Sequence, residues 1–251
     1  MKIMRQFITD DRLHRALDEV EAWLGYEIKA VPMPERHRRY AIAGMSLSKT
    51  NEFELWYIED EPPPSQATCC HELMHVVRWI DGDPLNCSIR SIPLSKAPNN
   101  PVRQAWALVQ HIPVWHLVKE MGFDESEDHN SFMETLIQAI LQNRLYCDEP
   151  PDRMIPFQIV ALAGGLSRPA TPEKLNCLRN AAKGMIPKAL ELADARVLAF
   201  EKQPQFSPQE FLGALTDLLR LIRTPTESLR ASFLSNTCPN FRARILATAN
   251  V

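Results

Sequence analysis

His71-Glu72-Leu73-Met74-His75 is the stretch on which the reading of this chain turns. Residues four apart share one face of a helix, so the two imidazoles stand one turn apart with the Glu72 carboxylate beside the first. The flanks predict that helix. Pro62-Pro63-Pro64 cannot lie inside one, Ser65 is a natural N-cap, and Asp81-Gly82 closes a run from Gln66 to Ile80, Gly82 being suited to a left-handed cap. Upstream, the stretch from Asn51 to Glu59 alternates polar and apolar residues and is rich in aromatics, the pattern of a strand. A lone histidine on a helix is usually a hydrogen-bonded packing residue. Two at this spacing, with a glutamate directly after the first, read as ligands of a divalent metal.

A strand, a short loop and a helix bearing HExxH resembles the core of the zincin metallopeptidases, here in a divergent small form. The resemblance implies Zn2+ held by His71 and His75, with Glu72 as general base toward a metal-activated water. It also implies that an extended peptide adds as a further strand beside Phe53 to Ile58.

A catalytic zinc takes three protein ligands and a water, so one more donor is expected. The metzincin continuation wants glycine where this chain has Arg78, and a ligand where it has Asp81; without the glycine, Asp81 is expected to point away. The gluzincin continuation wants a glutamate where Leu94 and Ser95 stand, and no Asp or Glu occurs between Pro84 and Lys119. The run from Asn99 to Gly122 reads as a helix carrying His111, His116 and Glu120. His111 is favoured, because Pro113 is expected to break or kink the helix beside it and aim the ring. Glu120 comes next, and His116 stays open. The segment Gln110 to Trp115, with Gly122-Phe123-Asp124 after it, resembles the region downstream of HExxH in some small bacterial zincins. Arg103, His116, His129 and Tyr146 are all candidates to stabilise the oxyanion, and the sequence does not rank them.

At 251 residues, 45% hydrophobic and 24% charged, the chain has an ordinary globular composition, and a net charge of −3 provides no basic field for nucleic acid. Arg36-His37-Arg38-Arg39 reads as a solvated turn. Met1 to Asp11 lacks the apolar run of a secretory signal, and no stretch is apolar for long enough to span a membrane. Six cysteines in a chain of this length suit a reducing cytoplasm, and the adjacent Cys69 and Cys70 read as packing residues.

Helices are expected over Asp10 to Leu24, Ser131 to Tyr146, Asp152 to Leu162, Glu173 to Lys183, Pro187 to Phe200 and Gln209 to Ile222. Strands are expected at Tyr26 to Pro32, Tyr40 to Ser48 and Phe53 to Ile58. The expected fold is α+β and predominantly α-helical, with a small N-terminal twisted sheet packed on the HExxH helix and a helical C-terminal half. Residues 1–125 are expected to form the catalytic core and 126–251 a helical part packed on it as one globular unit. A metallopeptidase acting on a peptide or protein substrate, with no nucleic-acid or membrane partner, is the leading expectation. The alternative is a non-catalytic regulatory or interaction protein that keeps a zincin fold and docks a protein partner through its helical half.

Overall fold

The computed structural model describes residues 2–35, 38, 43–97, 100–202 and 207–249. Arg36, His37 and Arg39 of the basic cluster, residues 40–42 of the strand expected from Tyr40, and Asn99 lie outside the described residues. In chain order the elements begin with β1 (Lys2–Ile3), α1 (Asp11–Leu24), β2 (Lys29–Pro32), β3 (Ala43–Leu47), β4 (Phe53–Tyr57) and α2 (Gln66–Asp81). Next come β5 (Asn86–Ile89), β6 (Ile92–Pro93), α3 (Asn100–Glu120), α4 (Asn130–Leu141), α5 (Pro151–Leu166) and α6 (Pro172–Met185). The series ends with α7 (Pro187–Lys202), α8 (Pro208–Leu221), β7 (Leu229–Ser232) and α9 (Phe241–Ala249). The fold is therefore α+β and predominantly helical. Among the described residues no helix is long and apolar enough to cross a membrane.

Two compact units divide the chain: Met1–Gly82 with Leu117–Asp124 and Ser235–Val251, and Asp83–His116 with Glu125–Leu234. The first holds a four-stranded sheet in the order β1-β2-β4-β3, with β2 parallel to β4 and the other pairs antiparallel. β4 alternates Phe53, Leu55 and Tyr57 inward, as its pattern predicts. It is not the open strand the sequence suggested for substrate pairing. β2 and β3 flank it and take up its backbone groups, so among the described residues the free edge beside α2 belongs to β3.

α2 has the expected ends. Ser65 accepts the Thr68 N–H, and Gly82 caps the helix at φ 115°. Every residue from Ala67 to Ile80 is buried, so α2 is a core helix covered all round rather than an amphipathic one. Its carboxyl end would leave carbonyls without donors; the Cys238 N–H meets the Ile80 carbonyl at 2.7 Å. Asp81 points away from the motif, accepting the Phe241 N–H at 2.8 Å and pairing with Arg242 at 3.3 Å. The sequence held no expectation for α9, which packs on α1 and α2.

The second unit is built on α4 to α8 with the first part of α3, around Trp106, Val109, Phe157, Leu162, Leu178 and Phe211. Proline at the first turn and a hydroxyl N-cap start α6 at Thr171 and α8 at Ser207. Three expectations are corrected here. Pro113 does not break α3, which is continuous from Asn100 to Glu120. α4 ends at Leu141, not Tyr146, because Asn143 turns left-handed at φ 52° and the Arg144 N–H closes back on the Ala139 carbonyl at 2.8 Å. A second, three-stranded sheet, β6-β5-β7, brings a strand, β7, into the half expected to be helical.

Candidate metal centre

α2 carries His71 and His75 on one buried face, with their Nε2 atoms 3.2 Å apart and the rings edge-on. Two imidazole nitrogens bound at 2.0–2.1 Å to one tetrahedral zinc stand roughly 3.3 Å apart, so the pair has the spacing a shared ion requires.

His75 is held from behind by a column of rings. Trp79, one turn further along α2, stacks on His75 at 5.6 Å, and Phe53 of β4 stacks on Trp79 at 5.4 Å and 12°. Phe53 and Trp79 were not picked out as site residues from the sequence. The legible signal was the continuation of the His71, His75 spacing by another four residues to an aromatic.

Glu72 is buried too, and its Oε2 accepts the backbone N–H of Met45, on edge strand β3, at 2.6 Å. The Cys69 thiol, three residues before Glu72 on α2, is pushed up to about 12 by burial and by the Glu72 charge.

His111 lies on α3, where its Nδ1 is 2.6 Å from the Ala107 carbonyl oxygen. With the Nδ1–H donated there, the ring's lone pair sits on Nε2, the tautomer that a ligating imidazole needs. Its ring packs against Trp115 at 5.5 Å. His71 and His75 belong to the first unit and His111 to the second. Of the other donors on α3, Glu120 is exposed at its end and His116 is half-buried. Imidazole fits Zn2+ by ligand type, and His71 and His75 fit it by spacing.

The oxyanion candidates are scattered through the chain. Tyr146 donates its hydroxyl to Gln104 Oε1 at 2.7 Å, and burial pushes it up to about 12. The His129 Nδ1 is 3.2 Å from Arg168 Nη1, and its ring meets Trp115 edge-on.

Comparison of the chain with protein-family models, with curated proteins and with solved structures finds no match in any of the three.

Proposed function

We propose that this chain is a zincin-type, zinc-dependent metallopeptidase that hydrolyses a peptide bond in a peptide or protein substrate. The observation that carries the reading is the buried His71/His75 pair, with Nε2 atoms 3.2 Å apart and Glu72 directly after the first of them. His71, His75 and His111 would hold the ion. When bound, zinc lowers the pKa of a water toward neutrality and polarises the scissile carbonyl. The Glu72 carboxylate takes a proton from the attacking water and gives it up to the nitrogen of the leaving amine. Edge strand β3, beside α2, offers the backbone row on which an extended substrate pairs. Six free cysteines fit a reducing compartment, in line with a cytoplasmic location.

One contact favours a second reading. The 2.6 Å bond from Met45 gives Glu72 a structural partner, as in a protein that keeps a zincin fold to bind rather than to cut. Zinc content per chain, measured side by side for wild type, His75→Ala and His111→Ala after checking that each is folded, separates these. One zinc in wild type and none in either variant, with turnover of a peptide library, supports the peptidase. Zinc without turnover favours the binding protein, and wild type without zinc removes the peptidase reading.

A further inference from the structure

Within the second unit a cleft of about 600 Å³ is lined by the β5–β6 hairpin, the carboxyl end of α8 and the chain leading to β7. Three guanidiniums line it, those of Arg90, Arg220 and Arg223, against the single carboxylate of Glu227. Thr216, Thr224 and Thr226 add hydroxyls to the wall. Arg223 is paired with Asp152, whereas Arg90 and Arg220 have no carboxylate partner among the described residues. With Asp152 on Arg223 and Glu227 on the wall, Arg90 and Arg220 remain as the cations that an incoming anion would meet.

The backbone points the same way. Arg90 and Ser91 form the two-residue connection of the hairpin, at φ 48° and φ 66°. That is the pattern of a turn that favours Asn-Gly, and neither residue here is Asn or Gly. Arg223 sits just past α8 at φ 55°, a place where glycine is the common choice. Two of the three cations thus occupy positions whose backbone disfavours any side chain with a Cβ, an outlier of the kind that accompanies binding sites. Attraction to the carboxyl end of α8 accounts for Arg220 and Arg223, but not for Arg90, which arrives from a different element.

A smaller apolar pocket, about 210 Å³, adjoins the cleft and shares Arg90, Thr224 and Pro225 with it. Ile89, Ile92 and Val102 line it, and Ile92 is 51% exposed.

We propose that this cleft binds a small phosphate monoester carrying a flat apolar group. The phosphate sits among Arg90, Arg220 and Arg223, whose planar forks match its oxygens, and the apolar group lies against Ile92 and its neighbours. The cleft of about 600 Å³ suits a small molecule, and the pocket of about 210 Å³ adds room for its apolar part.

Calorimetric titration of the whole protein with phenyl phosphate, inorganic phosphate and phenol, in a phosphate-free buffer, tests this. Phenyl phosphate is expected to bind about tenfold more tightly than inorganic phosphate, since the ring buries apolar surface, and to weaken as salt is raised. The double variant Arg90→Asn, Arg223→Asn keeps residues that tolerate both left-handed positions while removing two cations. It is expected to melt no lower than wild type and to bind phenyl phosphate at least about tenfold more weakly. Undiminished binding by the double variant overturns the proposal. So does equal affinity for the two phosphates, no binding of either, or a double variant that melts well below wild type, which would make the arginines structural.

Discussion

The Met45 N–H on β3 donates to Glu72 Oε2 on α2 at 2.6 Å, joining the carboxylate of the HExxH motif to the free edge of the first sheet. Met45 faces Leu55 across the β3–β4 pair, yet this N–H is directed at the helix rather than into that ladder. In the proposed peptidase, the group that moves the proton and the strand that aligns the substrate therefore share a hydrogen bond. An incoming peptide that pairs with β3 competes with Glu72 for the same donor.

Glu72→Gln is the sharpest test of that arrangement. The amide oxygen can still accept from Met45, so fold and zinc content are expected to stay at the wild-type level. Hydrolysis of a susceptible peptide is expected to fall by about 10²–10⁴-fold, the usual contribution of a general base. Wild-type turnover in this variant would remove Glu72 from the chemistry.

Zinc should stabilise the fold in proportion to its occupancy. A ligand at 100 times its Kd adds about 2.7 kcal/mol, so stripping the protein with chelator and then restoring zinc is expected to lower and recover its Tm. His75→Ala should show no such response. Differential scanning calorimetry with and without zinc reads the difference.

Trp79 is expected to act on the metal through His75. Trp79→Leu removes the ring that stacks on His75 at 5.6 Å and is itself backed by Phe53. Loss of a supporting contact around a ligating histidine typically weakens metal affinity by about 10–100-fold. Competition against a chromophoric chelator measures it, and Trp79→Phe should recover most of the affinity.

Burial pushes Cys87 and Tyr146 up to about 12, from ordinary values of 9.0 and 10.0. In the unfolded chain both lose their protons earlier. The folded state therefore binds more protons than the unfolded one across that window, and stability falls as pH rises through it. Below about pH 8 both states are protonated and these groups contribute almost no slope. Urea midpoints measured from neutral pH to about pH 11 are expected to fall only in the upper part of the range, and less steeply in Cys87→Ala.

Adjacent glycines in α5 should respond in opposite directions to alanine. A Cβ on Gly164 meets nothing within 4 Å, so Gly164→Ala is expected to stabilise by about 0.5–1 kcal/mol through helix propensity. On Gly165 the same atom falls 2.6 Å from Leu136 and 3.0 Å from Leu178, both buried. Gly165→Ala is expected to destabilise by about 1–3 kcal/mol. Thermal melts of the two single variants decide the matter.

What was legible in the sequence was what neighbouring residues decide. α2 could be bounded because a proline run, a serine and a glycine mark its ends, and α1 because Asp10 accepts the Arg12 N–H and Gly25 turns left-handed at φ 77°. Pairing was not legible. The alternation of Phe53, Leu55 and Tyr57 identifies β4 as a strand, but whether it lies at an edge depends on β2, which comes from the far side of β3 in sequence. The β5–β6–β7 sheet escaped notice because its turn uses Arg90-Ser91 in place of the glycine or asparagine that usually marks a hairpin. At the candidate site, His71, Glu72 and His75 followed from spacing alone. His111 was favoured because a break or kink was expected at Pro113; of these, the break is absent, since α3 runs on from Asn100 to Glu120.

The bond from the Phe241 N–H to Asp81 spans 160 residues, and with the Cys238 contact it closes the carboxyl end of the motif helix. Ribosomes add about 5–20 residues per second, so this end of α2 waits on the order of ten seconds for its partner to be made. A nascent chain can expose all four strands of the first sheet and both histidines of the motif while that end remains open. Until the partner segment arrives, the half-built unit is a target for chaperones and proteases, and its maturation is timed by translation rather than by local folding.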